Sequence, residues 1–353
     1  MLAPHFQEYS FLLARALAAH GPVLLGLDAD RLAGDYQGRV RPDAPGLRVV
    51  DRRFESLFEI ARVAWDLVRF RPSVVHVQEP VGLRKSIICA VAMALARPFC
   101  RVALTVHDPE PHQGRDAAVV QRRKLLQGTI RKLAHIVYVH GAFCRSQYLQ
   151  ASGSTHQQVA ITRHGEILRA ERPQARDGGP FRILSFGRME AYKGVDTLCR
   201  ALELLADEGA SPEVHIAGRG PELDRLAERF ARLPGVQVDN RFVASVDLVA
   251  AICEADCVVL PYLEATQSGV LAAALANGRF VIASDVGGIP DVVTDGVDGL
   301  LVPPGDVPAL AGAIRRVADD PELCRQLASG ARGTARERLG WDRIAPEMLA
   351  DYR

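Results

Sequence analysis

The chain reads as an α/β protein, with two successive doubly wound parallel-sheet domains, on three observations. Short apolar runs alternate with helical patterns from end to end, as strands and crossover helices do in parallel sheets. The alternation breaks at Arg169–Pro180, a stretch rich in Glu, Arg, Pro and Gly that reads as a linker, and then restarts. Net charge changes sign at the same place. Residues 1–170 hold 23 Lys+Arg against 14 Asp+Glu, whereas residues 171–353 hold 20 against 28. A length of 353 residues suits about two domains, each able to bury its own core.

In the first half, strands are expected at Pro22–Asp28, Ser73–Gln78, Arg101–Val106, Ile136–Val139 and Val159–Arg163. Helical stretches stand between them at Phe11–Ala19, Phe54–Arg69, Leu83–Ala96 and Val119–Leu133. The second half restarts with strands at Arg182–Phe186, Glu213–Ala217, Val236–Val238, Cys257–Leu260, Phe280–Ala283 and Gly299–Val302. The beginning is unusual. If Ser10–His20 is the first helix and Pro22–Asp28 the second strand, only Met1-Leu2-Ala3 remains for a first strand. That strand would be central in a 3-2-1-4-5 sheet. Either Met1–Pro4 is a stunted strand, or the native start lies roughly six to ten residues upstream.

Composition narrows the class. The chain is 48% hydrophobic and 24% charged, as ordinary soluble proteins are. Its longest apolar run, Ile87 to Ala96, is half the roughly 20 residues a membrane span needs. The first residues lack a charged region followed by an apolar core, and seven scattered cysteines suit a reducing compartment, so a cytoplasmic protein is expected. Cys253 and Cys257 lack a Cys-x-x-Cys partner set and read as core thiols. The basic first half favours anionic partners, including a membrane surface. One candidate patch is Arg122, Arg123, Lys124, Arg131 and Lys132 with Val119, Val120, Leu125 and Leu126. No nucleic-acid partner is expected.

Four segments of the second half carry the chemistry. The first is Gly187-Arg188 through Lys193-Gly194. Lys193 is the only lysine after Lys132, in a chain with four lysines and 39 arginines. Such a position selects a compact ammonium over a wide guanidinium fork. A strand, a glycine turn, two cations and a helix form an anion cradle. The second segment is Ala217-Gly218-Arg219-Gly220-Pro221-Glu222. The third is Pro261-Tyr262-Leu263-Glu264-Ala265-Thr266-Gln267-Ser268-Gly269-Val270, which leads into an alanine-rich helix ended by Gly278. The fourth runs from Asp285-Val286-Gly287-Gly288-Ile289-Pro290-Asp291 to Asp295–Val302. Ligands of such sheets sit beyond the carboxyl ends of the strands, and a cleft between two domains is the default site.

The order and spacing of these segments resemble the GT-B glycosyltransferases of family 4, the glycosyl transferases group 1 superfamily. The likeness is specific across 181–340 and general across the first half. It implies two Rossmann-like domains facing a central cleft, at 1–170 and 181–335, with a last helix in 336–353 crossing back to the first. It implies that Arg188 and Lys193 hold the diphosphate of a sugar nucleotide beside Gly187. Gln267, Ser268, Gly269 and Val270 would present helix amides to the phosphates. Glu264 would lie by the transferred sugar, and His107, in Thr105-Val106-His107-Asp108, would approach that sugar from the first domain. His76 and His164 read as structural, and Trp341 as a packing residue.

The family's second motif glutamate, seven residues on, falls on Ala272, which leaves ribose recognition unassigned. The resemblance implies a retaining, metal-independent transferase with no cofactor beyond its nucleotide-sugar substrate. A saccharide or lipid-linked saccharide acceptor in cell-surface polysaccharide assembly is the expected partner, with peripheral contact at the inner membrane. Ala272 and the short start leave one alternative, a non-catalytic sugar-nucleotide-binding protein. A nucleotide-sugar epimerase lacks its carboxylate or histidine array near the diphosphate. A dinucleotide dehydrogenase is unsupported, since no Gly-x-Gly-x-x-Gly follows an early strand.

Overall fold

In the computed structural model the described residues are 1–36, 44–110, 124–152, 157–171 and 179–353. They form two units, one comprising the chain up to Gly165 together with Trp341–Arg353, the other Glu166–Gly340. The first unit holds β1 (Leu2–Ala3), β2 (Val23–Leu27), β3 (Leu47–Asp51), β4 (Val74–Gln78), β5 (Arg101–Val106), β6 (Ile136–His140) and β7 (Gln158–Thr162). All pair in parallel in the order β3-β2-β1-β4-β5-β6-β7. The second unit holds β8 (Arg182–Arg188), β9 (Glu213–Arg219), β10 (Val236–Asn240), β11 (Cys257–Leu260), β12 (Phe280–Ser284) and β13 (Gly299–Val302), in the order β10-β9-β8-β11-β12-β13.

Burial explains which strands the sequence reveals. Inner strands β6, β11 and β12 are buried at every residue, because parallel sheets are covered on both faces. Edge strands β3 and β10 mix buried or half-buried positions with exposed ones. β3 is absent from the expected elements: Leu47-Arg48-Val49-Val50-Asp51 is short and interrupted by charge, as an edge strand tolerates.

β1 is a strand of only two residues, between β2 and β4, with Leu2 opposite both Gly26 and Val77. The amino-terminal halves of β2 and β4 therefore have no strand between them. A cavity of about 770 Å³, lined by Leu24, Val50, Val63, Val74, Val75 and Tyr352 among others, fills that place. The helix Trp341–Asp351 packs on the helix Gln7–Ala18, and Tyr9, Leu13, Trp341, Ile344 and Met348 form one core cluster.

Candidate functional site

The four motifs of the second unit meet at the carboxyl edge of its sheet. Lys193 ends a 3-10 turn, Ala191–Lys193, and is followed by Gly194 with φ of +65° and then the helix Val195–Asp207. The Leu263 amide donates to the Tyr192 carbonyl at 2.8 Å, which ties the third motif to the first. Space forces glycine at two of these junctions. A Cβ on Gly194 would stand 1.7 Å from the Pro261 carbonyl oxygen, and one on Gly287 (φ +61°) 1.6 Å from that of Ala265. Both positions combine a left-handed backbone with a close approach, so only glycine fits.

The Lys193 ammonium lies 3.7 Å from the centroid of the Tyr262 ring and 5.2 Å from that of Tyr192. A half-buried cation over an aromatic face gains about 1 kcal/mol. Tyr262 is buried, and burial raises its phenol well above the usual range. Its hydroxyl lies 3.4 Å from the Ser268 hydroxyl, which accepts from the Leu271 amide at 3.2 Å and so caps the helix Gly269–Ala276. The first amides of that helix have no intrahelical acceptor. Arg188 is exposed at the end of β8 and Glu264 is half-buried. The Gln267 side-chain oxygen is buried without a hydrogen-bond partner among the described residues. Ala272 is 3% exposed, within a run from Leu271 to Ala276 that is buried throughout. A longer side chain there would point into the packed interior.

Sequence reasoning missed Tyr262 as the seat of the lysine. The signal was the aromatic residue at the start of the third motif, but nothing in the spacing tells it from a core tyrosine.

His107 sits at the carboxyl edge of the first unit's sheet, 2% exposed. Phe6 stacks on it with centroids 3.7 Å apart. Its Nε2 is 2.9 Å from Gln78 Oε1, and its Nδ1 is 3.1 Å from His140 Nε2. With the amide oxygen accepting, His107 carries its proton on Nε2 and accepts from His140 at Nδ1. His164 completes the group, 5.4 Å from His140 and 6.2 Å from His107 between ring centroids. Burial, and then the facing histidines His140 and His164, hold His107 well below its ordinary pKa. Burial is also the main cause that lowers His140 to about 3 and His164 to about 4. His76, between the Tyr352 hydroxyl at 2.5 Å and the Thr105 hydroxyl at 2.7 Å, falls to about 3. Among the described residues no group of three His, Cys, Asp or Glu is placed to hold a metal ion.

These histidines make the first unit acid-sensitive. Below about pH 6.5 the unfolded chain binds protons that the folded unit refuses, so stability falls with pH until the folded values near 3 to 4 are reached. Each such histidine removes roughly 2 kcal/mol between pH 6.5 and 5. Both tryptophans, Trp65 and Trp341, belong to this unit. Denaturant melts followed by tryptophan emission should therefore lose several kcal/mol from pH 7 to pH 5, and an unchanged midpoint would disprove the assignment.

The expected basic patch is revised at Arg131, which lies against Glu79 rather than on an open face. Its Nε donates to Glu79 Oε1 at 2.6 Å, its Nη2 to Oε2 at 3.1 Å and its Nη1 to the Pro109 carbonyl at 3.1 Å. Val119, Val120, Arg122 and Arg123 lie outside the described residues. No described helix is long and apolar enough to cross a membrane.

Residues 180–320 match the family Glycosyl transferases group 1. Over 295 residues the chain is 28% identical to a glycogen synthase of Mycobacterium tuberculosis, covering 80% of this chain and 69% of that protein. Over 183 residues it is 35% identical to a D-inositol 3-phosphate glycosyltransferase of Saccharomonospora viridis, covering 48% of this chain and 42% of the relative. Its fold is similar to that of sucrose-phosphate synthase from Thermosynechococcus elongatus, with a TM-score of 0.74, 23% identity, and 97% and 91% of the two chains covered. It is also similar to Anabaena HepE, solved in complex with UDP-glucose, with a TM-score of 0.72, 17% identity, and 97% and 94% covered.

Proposed function

For this chain, a glycosyltransferase of the group 1 type with the GT-B fold, we propose retaining transfer of a sugar from a nucleoside-diphosphate donor to a saccharide or lipid-linked acceptor. The observation that carries the reading is the Lys193 ammonium on the Tyr262 ring, beside the Ser268-capped helix. That arrangement supports diphosphate binding by a fixed cation and free helix amides.

Glycosyl transfer builds charge on the departing diphosphate, and preorganised cations at that position lower the barrier. Arg188 and Lys193 take this role, so no metal or cofactor is required. Glu264 faces the transferred sugar. Since Ala272 has no group to offer the ribose, Gln267, with its buried and unpartnered oxygen, is the acceptor available to a donor hydroxyl. A role for His107 at the sugar would require Phe6 to leave its face. A diphosphate oxygen deprotonates the acceptor on the face from which it departs, so the anomeric configuration is kept. Assembly of cell-surface polysaccharide from a cytoplasmic donor pool is the setting that this chemistry suits.

Calorimetric titration with UDP-, GDP-, ADP- and dTDP-sugars tests the reading. One tight donor, consumed when acceptors are added, is the expected result. Binding without transfer or hydrolysis across a broad acceptor panel would replace it with a sugar-nucleotide-binding protein. No binding by any donor would remove the donor site.

A further inference from the structure

Exposed apolar side chains are concentrated on one part of the first unit. Among the described residues, eight of the thirteen exposed large apolar side chains fall between Leu57 and Phe99. On the helix Phe58–Phe70, Phe58 is 84% exposed, Trp65 64% and Val68 68%. Together with Ala61 they recur at helical spacing on the face opposite the buried Glu59 and Val63. The neighbouring helix Leu83–Ala96 packs on this one and is apolar on nearly every side. Its outward residues Leu83 and Leu95, and Phe99 beyond its end, are exposed as well. An uncovered helix face of this kind marks a contact surface.

Charge identifies the partner. The acidic residues of segment 57–101 are Glu59, Asp66 and Glu79, and each is engaged by an arginine within the unit. Arg62 lies 2.6 Å from Glu59, Arg52 2.6 Å from Asp66 and Arg131 2.6 Å from Glu79. The exposed charges beside the apolar face include Arg62, Arg69, Arg84 and Arg97, with Glu55 the exposed acid that precedes the helix. A second copy docked about a two-fold axis would set these arginines against one another.

We propose that the helices Phe58–Phe70 and Leu83–Ala96 dock the protein on an anionic lipid surface. Phe58, Trp65 and Val68 enter the headgroup boundary, and the arginines meet lipid phosphates. This surface adjoins the basic helix Lys124–Leu133, on which Leu83–Ala96 packs and whose Leu133 carbonyl accepts from Arg97 at 3.2 Å, and the inference does not depend on the donor chemistry.

The full chain is sedimented with vesicles of neutral phosphatidylcholine, or of phosphatidylcholine with 30% phosphatidylglycerol. Binding is expected only to the anionic vesicles, reversed by salt, with a blue shift in emission from Trp65, since Trp341 is already buried. Replacing Arg62 and Arg69 by glutamine should weaken partitioning about thirty-fold. Phe58→Ser with Trp65→Ser should abolish it, while circular dichroism and donor binding show that the variants remain folded. Equal binding to both vesicles, or none, overturns the proposal. So does a dimer that the double serine variant disperses, which would assign the face to a second copy.

Discussion

Lys193→Ala is expected to weaken donor binding roughly ten- to a hundred-fold and to reduce kcat/KM further still. The Lys193 ammonium sits on Tyr262 beside the capped helix, so, already held in place, it would meet a diphosphate. Loss of a charge-assisted hydrogen bond costs about 1.5–3 kcal/mol in the ground state. The departing diphosphate carries more charge in the transition state, so turnover suffers more than binding. Lys193→Arg should recover only part of the loss, because the wide fork does not fit where the ammonium rests. Calorimetry with the cognate donor and steady-state rates would check both variants. Unchanged affinity and turnover in Lys193→Ala would remove the lysine from the site.

Together with Gly287→Ala, Gly194→Ala should be among the most damaging single-methyl changes. The new Cβ would meet the Pro261 carbonyl oxygen at 1.7 Å in a residue held at φ +65°. The left-handed conformation and the overpacking together amount to roughly 3–4 kcal/mol. Gly209→Ala provides the comparison, since its φ of +80° is similar but nothing lies within 4 Å. That variant should lose only about 1 kcal/mol. The backbone shift in Gly194→Ala would also part Lys193 from Tyr262, so donor affinity falls together with the melting temperature. Equal melting temperatures for the two variants would show that the loop yields without cost.

Much of this fold was legible because the inner strands of a parallel sheet are continuous apolar runs, as Cys257–Leu260 and Phe280–Ser284 show. β3 escaped notice for the opposite reason, its edge position allowing Arg48 and Asp51. In the second unit, the glycine-punctuated motifs could be read because Gly194, Gly218, Gly220, Gly287 and Gly288 each answer a close backbone approach. Lys193 stood out by its rarity. The Tyr262 contact was not legible, since a tyrosine in a loop gives no periodic signal. Nor was the cover over His107, which depends on Phe6 adopting φ of +56° without being a glycine. The burial of Ala272 gives the motif's departure from a glutamate a packing reason that spacing alone could not supply.

The short β1 has a consequence for cooperativity. A seven-stranded sheet whose third strand, Leu2–Ala3, is only two residues long is spliced there, with β3 and β2 on one side and β4 to β7 on the other. Opening the splice breaks few backbone hydrogen bonds, so hydrogen exchange is expected to show the two halves as separate foldons within one unit. Phe6 lies directly after that splice, on the face of His107. Local unfolding at the splice is therefore expected to lift Phe6 from the face of His107.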